Sequence, residues 1–198
     1  LSRKLGKTDF RLLQEIYSQN EESQPIAQMA DKLHPWAALV FAGSTFPKGY
    51  SSETGADMLL TNAAVGINKP RGSLESLDDV TAIFKAQPEE TMLNFLKASI
   101  KTNKEETEDV KKLHQAYSDG RFEELIPLLE ETEQRTLKLV DAKYAKAMSD
   151  WLKNDLLIRR NLAWLPKIRK QSAKQSTLFA VGIAHLPSEK GLIELLRQ

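Results

Sequence analysis

The sequence predicts an α+β fold that is predominantly α-helical, with a small sheet remnant that includes a strand near 177–183. Three observations carry this expectation. Apolar residues recur at three- and four-residue spacing through most of the chain, the period of helices that bury one face. Thr177-Leu178-Phe179-Ala180-Val181-Gly182-Ile183 breaks that habit. It is a short continuous apolar run after a polar linker, and its length and the turn that follows favour a buried strand. Finally, 198 residues with 41% hydrophobic and 28% charged side chains make one domain, 1–198, able to bury a core without staples.

The elements follow in order. Thr8 or Asp9 caps a first helix to about Gln19, with Phe10, Leu13 and Tyr17 on its inner face. Pro25 opens a second helix carrying Ile26, Met29 and Leu33, and Pro35 starts a short, very apolar one that ends at Gly43 and is expected to be buried. Residues 43–55 read as a loop. A helix follows from Ala56 to Val65 with Gly66 as its stop. Residues 67–75 hold Pro70 and Gly72 and read as extended, an edge strand at most, because proline cannot donate to a central ladder. Ser76-Leu77-Asp78-Asp79 is a capping signature. From Pro88 to Gly120 runs a long helix or a helical pair, with the break expected at Lys101-Thr102-Asn103-Lys104, where the apolar stripe lapses. Arg121–Glu130 forms a short helix around Pro127, and 133–172 a long helical stretch that Pro166 bends. Pro187-Ser188-Glu189 opens the last helix, through Leu192 and Leu196. A lone buried strand leaves its backbone groups unpaired, so the expected sheet is incomplete within this chain.

Composition excludes whole classes of function. Without cysteine there is no disulfide framework, thiolate metal site or cysteine nucleophile. A net charge of +1 gives no global argument for nucleic acid or a membrane surface. The longest apolar run, Trp36 to Ala42, is far short of the roughly 20 residues a membrane span needs. The chain begins at Leu1 without a signal peptide, which reads as a mature form or a fragment. P-loop, dinucleotide-binding, nucleophile-elbow and His-Glu-x-x-His motifs are all missing.

Among three histidines, His114 reads as a surface residue and His34 as a local structural donor at a helix junction. His185 stands apart, just past the apolar run and before a helix whose free N–H groups are expected near Ser188. The basic residues between Lys153 and Lys174 read as a solvated helix face. Within them, Arg160 and Asn161 lie one turn before Trp164 and Leu165, which lets one of the two point inward as a hydrogen-bond donor. Glu53, Asp57 and Glu75 read as caps or surface charges.

Three blocks together carry a resemblance: Arg160-Asn161-Leu162-Ala163-Trp164; Leu178 through Pro187 leading into Gly191-Leu192-Ile193-Glu194; and Pro35-Trp36, Gly55-Ala56-Asp57-Met58 and Lys69-Pro70-Arg71-Gly72-Ser73-Leu74-Glu75. In this order they resemble the TraB/PrgY/GumN family, which includes the Tiki-type metalloproteases. The resemblance implies a metal-dependent hydrolase of peptide or related acyl bonds, using a divalent ion, Mn or Co rather than Zn, on a peptide or small-molecule substrate. It implies two Gly-x-x-His motifs. Gly182-Ile183-Ala184-His185 matches the second, so His185 inherits a catalytic and metal-ligand role and Arg160 a supporting catalytic one. Asp57 and Glu75 match recurrent acids with a structural role. The first motif has no counterpart here and lies upstream in full-length members, as would the strands that pair with 177–183, so the chain is expected to be inactive alone. Because members are often bacterial and exported, the resemblance favours an exported or periplasmic setting. One rival is a non-catalytic peptide- or saccharide-binding protein using Trp36, Tyr50 or Trp164 as anchors. Another is a homo-oligomer that borrows its missing strands from a second chain.

Overall fold

A computed structural model describes residues 1–198. The helices are α1 (Ser2–Leu5), α2 (Lys7–Tyr17), α3 (Gln24–Met29), α4 (Pro35–Gly43), α5 (Ala56–Gly66), α6 (Leu77–Lys85), α7 (Glu89–Ser118), α8 (Leu125–Leu137), α9 (Ala142–Asp150), α10 (Arg159–Ser172) and α11 (Leu192–Arg197). A π-helical segment, Trp151–Ile158, lies directly before α10. The chain divides into two compact units, Leu1–Thr54 with Gln87–Met148, and Gly55–Ala86 with Ser149–Gln198.

The protein is 72% helical and contains no strand, which overturns the expected α+β fold and its sheet remnant. The apolar run near 177–183 pairs with nothing, and it is not buried, since Leu178 is 74% exposed. A strand exists only through a ladder partner. The other extended candidate, 67–75, offers none: Pro70 lacks an N–H, and the Leu74 carbonyl is taken by Lys167 Nζ at 2.6 Å.

In the first unit, α2, α4 and α7 enclose a core of Leu5, Leu13, Ile16, Tyr17, Ala30, Ala38, Leu96 and Ile100. Gly6, at φ 84°, makes the left-handed break between α1 and α2 that a side chain would resist. Tyr17 is fully buried; its hydroxyl donates to the Ala38 carbonyl at 2.7 Å, and burial pushes its pKa up. The very apolar α4 is buried only along Pro35 and Ala38, leaving Phe41 37% exposed.

Helix α7 runs unbroken for 30 residues through the expected interruption. The apolar stripe lapses there because a polar seam replaces it against α8. Thr102 and Thr136, both buried, share Glu106 Oε1 at 2.6 and 2.9 Å and lie 3.2 Å apart. One turn on, buried Asp109 accepts from Arg135 at 2.5 Å, Thr132 at 2.9 Å and Lys112 at 3.0 Å. Pro127 sits in the first turn of α8, where its missing N–H costs no intrahelical bond.

In the second unit, Trp164 and Ile168 of α10 and Leu192 of α11 form a small core, against which Leu74, Phe179, Val181 and Leu186 pack. Ser76 caps α6 in a full capping box with Asp79. Helix α5 has no buried residue. The last helix starts at Leu192 rather than near Ser188. Ser188 has a left-handed backbone, φ 81°, and Gly191 lies so close to the carbonyls of Leu186 and Pro187 that a Cβ would overlap them. The chain therefore turns tightly over 186–191 before it becomes helical, and the N–H groups expected beside His185 belong to a loop.

Candidate functional site

Helix α10 carries Arg160 and Asn161 in its first turn and Trp164 one turn later, so all three side chains leave one region of its surface. The wider π-helical segment ends just before them, and Arg160 Nη1 donates to the Leu156 carbonyl inside it at 3.1 Å. Arg160 then grips Glu75 with two parallel bonds, Nε to Oε2 at 3.1 Å and Nη2 to Oε1 at 2.5 Å. Trp164 Nε1 donates to the same Oε2 at 3.2 Å, and the guanidinium lies 4.9 Å from the indole centre. Three of the five guanidinium N–H groups are thus committed and two remain. Glu75 is the half-buried counter-charge that orients both Arg160 and Trp164, more than the cap or surface charge its sequence context suggests.

Both Arg160 and Asn161 point inward, where the sequence called for one. Asn161 is 2% exposed. Its Nδ2 donates to the carbonyls of His185 at 3.2 Å and Lys190 at 2.9 Å. Those two acceptors fix the amide's orientation, so Oδ1 is the atom that meets His185 Nδ1, at 2.7 Å. A carbonyl oxygen only accepts, so Nδ1 carries the proton and Nε2 keeps its lone pair. Nε2 has no partner within the protein; since no buried side-chain nitrogen lacks one, it reaches open space. The imidazole lies on the Trp164 indole with ring centres 4.6 Å apart. Burial, helped by the Arg160 charge and opposed by Glu75, pushes its pKa down to about 4.

This cluster opens onto a cavity of 520 Å³ lined by Gly72–Glu75, Arg160, Trp164, His185 and the run 178–182. That size is ordinary for a small-molecule or peptide-side-chain site. The remaining candidates lie elsewhere. Asp57 sits exposed in the first turn of α5, His34 is 3.4 Å from Glu89, and exposed His114 meets Tyr50 edge-on at 5.1 Å. Much of the basic stretch is spent internally: Lys167 on the Leu74 carbonyl, Arg169 on the Leu195 carbonyl at 3.0 Å, and Arg159 on Asp155 at 2.8 Å.

A catalytic divalent ion usually takes three protein ligands. Here one nitrogen is free, both Glu75 oxygens are engaged by Arg160 and Trp164, and no three His, Asp or Glu side chains converge. The residues present do not by themselves fit a metal centre.

No curated protein and no solved structure matches the chain. The TraB/PrgY/gumN family profile matches residues 1–198. Its match spans the same stretch as the Arg160–Trp164 helix, the His185 turn and the Glu75 partner, and the chain belongs to the TraB/PrgY/gumN family.

Proposed function

We propose that this chain carries the histidine side of a hydrolase site for peptide or related acyl bonds, with His185 as the functional imidazole and Arg160 beside it. The observation that supports this is a neutral imidazole whose Nδ1 is held by Asn161 and whose Nε2 is left free at a cavity. A group that protonates only near pH 4 is a weak base at neutral pH but keeps its lone pair throughout. A divalent ion, Mn or Co rather than Zn, would find one donor in His185 and would need the rest from groups outside this cluster. Arg160 contributes its two uncommitted N–H groups toward a substrate oxygen.

The test follows the three histidine ring signals by NMR during Mn²⁺ titration, alongside hydrolysis of a mixed peptide pool. Selective paramagnetic broadening of His185, abolished in His185→Ala, supports the reading. Equal broadening of His34, His114 and His185 overturns it. The single donor also favours a second reading, a protein that binds a peptide or saccharide without cutting it. Peptide or saccharide binding that persists in His185→Ala, with no hydrolysis by either form, would establish that one.

A further inference from the structure

Leu74 and Glu75 lie outside any helix, yet they are tied to α10 at three points. Arg160, Trp164 and Lys167 follow one another at four and three residues, which puts them on one face of that helix. Lys167 donates to the Leu74 carbonyl at 2.6 Å, while Arg160 and Trp164 both donate to the Glu75 carboxylate. The Leu74 side chain packs on the Trp164–Ile168–Leu192 core, so Glu75 arrives with its main chain already placed.

The two oxygens of Glu75 have unequal tasks. Oε1 takes only Arg160 Nη2, at 2.5 Å. Oε2 is shared between Arg160 Nε at 3.1 Å and Trp164 Nε1 at 3.2 Å. An indole has a single donor, so its rotation is set by where that N–H finds an acceptor. The shared oxygen therefore holds the indole as well as the guanidinium. Against this indole lies the His185 imidazole, with ring centres 4.6 Å apart and 43° between planes. The imidazole's own hydrogen bond is at Nδ1, to Asn161 Oδ1 at 2.7 Å. One hydrogen bond leaves a ring free to swing about it. A second contact, with a fixed flat surface, sets the plane of the ring and with it the direction of the Nε2 lone pair.

We infer that Glu75 is a positioning residue for His185 and acts through Trp164: its shared oxygen holds the indole, and the indole sets the plane of the imidazole and the aim of Nε2. This role rests on His185 being the functional imidazole, as proposed above. It gives the site a control point that makes no hydrogen bond to the imidazole itself.

The test uses the full chain at neutral pH, with ¹⁵N NMR of the His185 ring and hydrogen exchange of its Nδ1–H as readouts. Glu75→Leu removes both oxygens at similar size. Trp164→Phe keeps a flat face but has no N–H to hold. Glu75→Gln loses the charge and keeps one oxygen, which can serve Arg160 Nε and Trp164 Nε1 together. Glu75→Leu and Trp164→Phe should each mix the two tautomers and speed Nδ1–H exchange about tenfold, the size expected when the hold of one hydrogen bond is lost. Glu75→Gln should stay close to the parent. Glu75→Leu combined with Trp164→Phe should exchange no faster than either alone, because both cut the same link. Circular dichroism checks that each variant folds; if Glu75→Leu does not, Trp164→Phe against Glu75→Gln carries the test. An unchanged His185 ring in folded Glu75→Leu or Trp164→Phe would overturn the inference, since a role in stability alone leaves the ring signals of folded molecules as they are. Additive effects in the double variant would overturn it by giving Glu75 a route other than the indole. Glu75→Gln matching Glu75→Leu would do so by assigning the effect to charge. Loss of the hydrolase reading is told apart from these outcomes, because it is read from Mn²⁺ broadening in the parent and leaves the ring signals without metal untouched.

Discussion

Asn161 decides which face of His185 is chemically available. It spends both amide protons on carbonyls and its oxygen on Nδ1. ¹⁵N NMR should therefore find His185 as the Nδ1–H tautomer at neutral pH. Asn161→Ala should mix the tautomers, and dominance of the Nε2–H form in the parent protein would contradict the arrangement. The burial of the ring gives a pH dependence of defined sign. Folded, His185 takes its proton near pH 4; unfolded, near 6.5. Between those values the unfolded chain binds more protons, so stability falls as pH drops from 6.5 toward 4, and this group contributes no slope above 6.5. The effect is at most about 3 kcal/mol. Urea denaturation of parent and His185→Gln across that window should show the parent losing more. Arg160→Met should raise the His185 pKa, since it removes the nearby cation and leaves Glu75 unpaired.

At the scale of elements, the α7–α8 contact rests on charge as much as on apolar packing. Burial works to raise the Asp109 carboxyl, and hydrogen bonds from Arg135, Lys112 and Thr132 outweigh it and hold the pKa low. Asp109→Ala strands those donors and should cost about 2–4 kcal/mol in urea unfolding. The start of α6 depends on neighbours alone, and Ser76→Ala should cost about 1 kcal/mol. Gly191→Ala tests the loop under the site. A methyl there meets the carbonyls of Leu186 and Pro187, so the turn must shift and carry His185 and Lys190 off Asn161. The readout is loss of the low His185 pKa. The same contrast explains what was legible. Caps and proline starts are local, so α4 and α5 fall within a residue or two of their expected bounds and α6 starts at its capping signature. Of the two readings of 88–120, the single long helix holds; continuity through 101–104 is decided by Thr136 and Glu106, 34 and four residues away from Thr102.

At the scale of the whole molecule, apolar surface is left open in the second unit: Leu59 at 57%, Ile67 at 72%, Leu77 at 78% and Leu178 at 74% exposed. A buried strand at 177–183 would make Leu178→Lys severely destabilising. With Leu178 in solvent, the change should stay within about 0.5 kcal/mol, checked by urea denaturation. Residue order by itself determined the predominantly helical class, most helix starts and the family blocks, because these depend on spacing and on contacts between near neighbours. Tertiary structure alone decided the rest. It joined Glu75 to Arg160 and Trp164 across 85 and 89 residues, and Asn161 to His185 across 24. It also left the 177–182 backbone unpaired. Spacing along a chain carries no information about which distant groups will share a proton, or about whether an extended run will meet a partner strand.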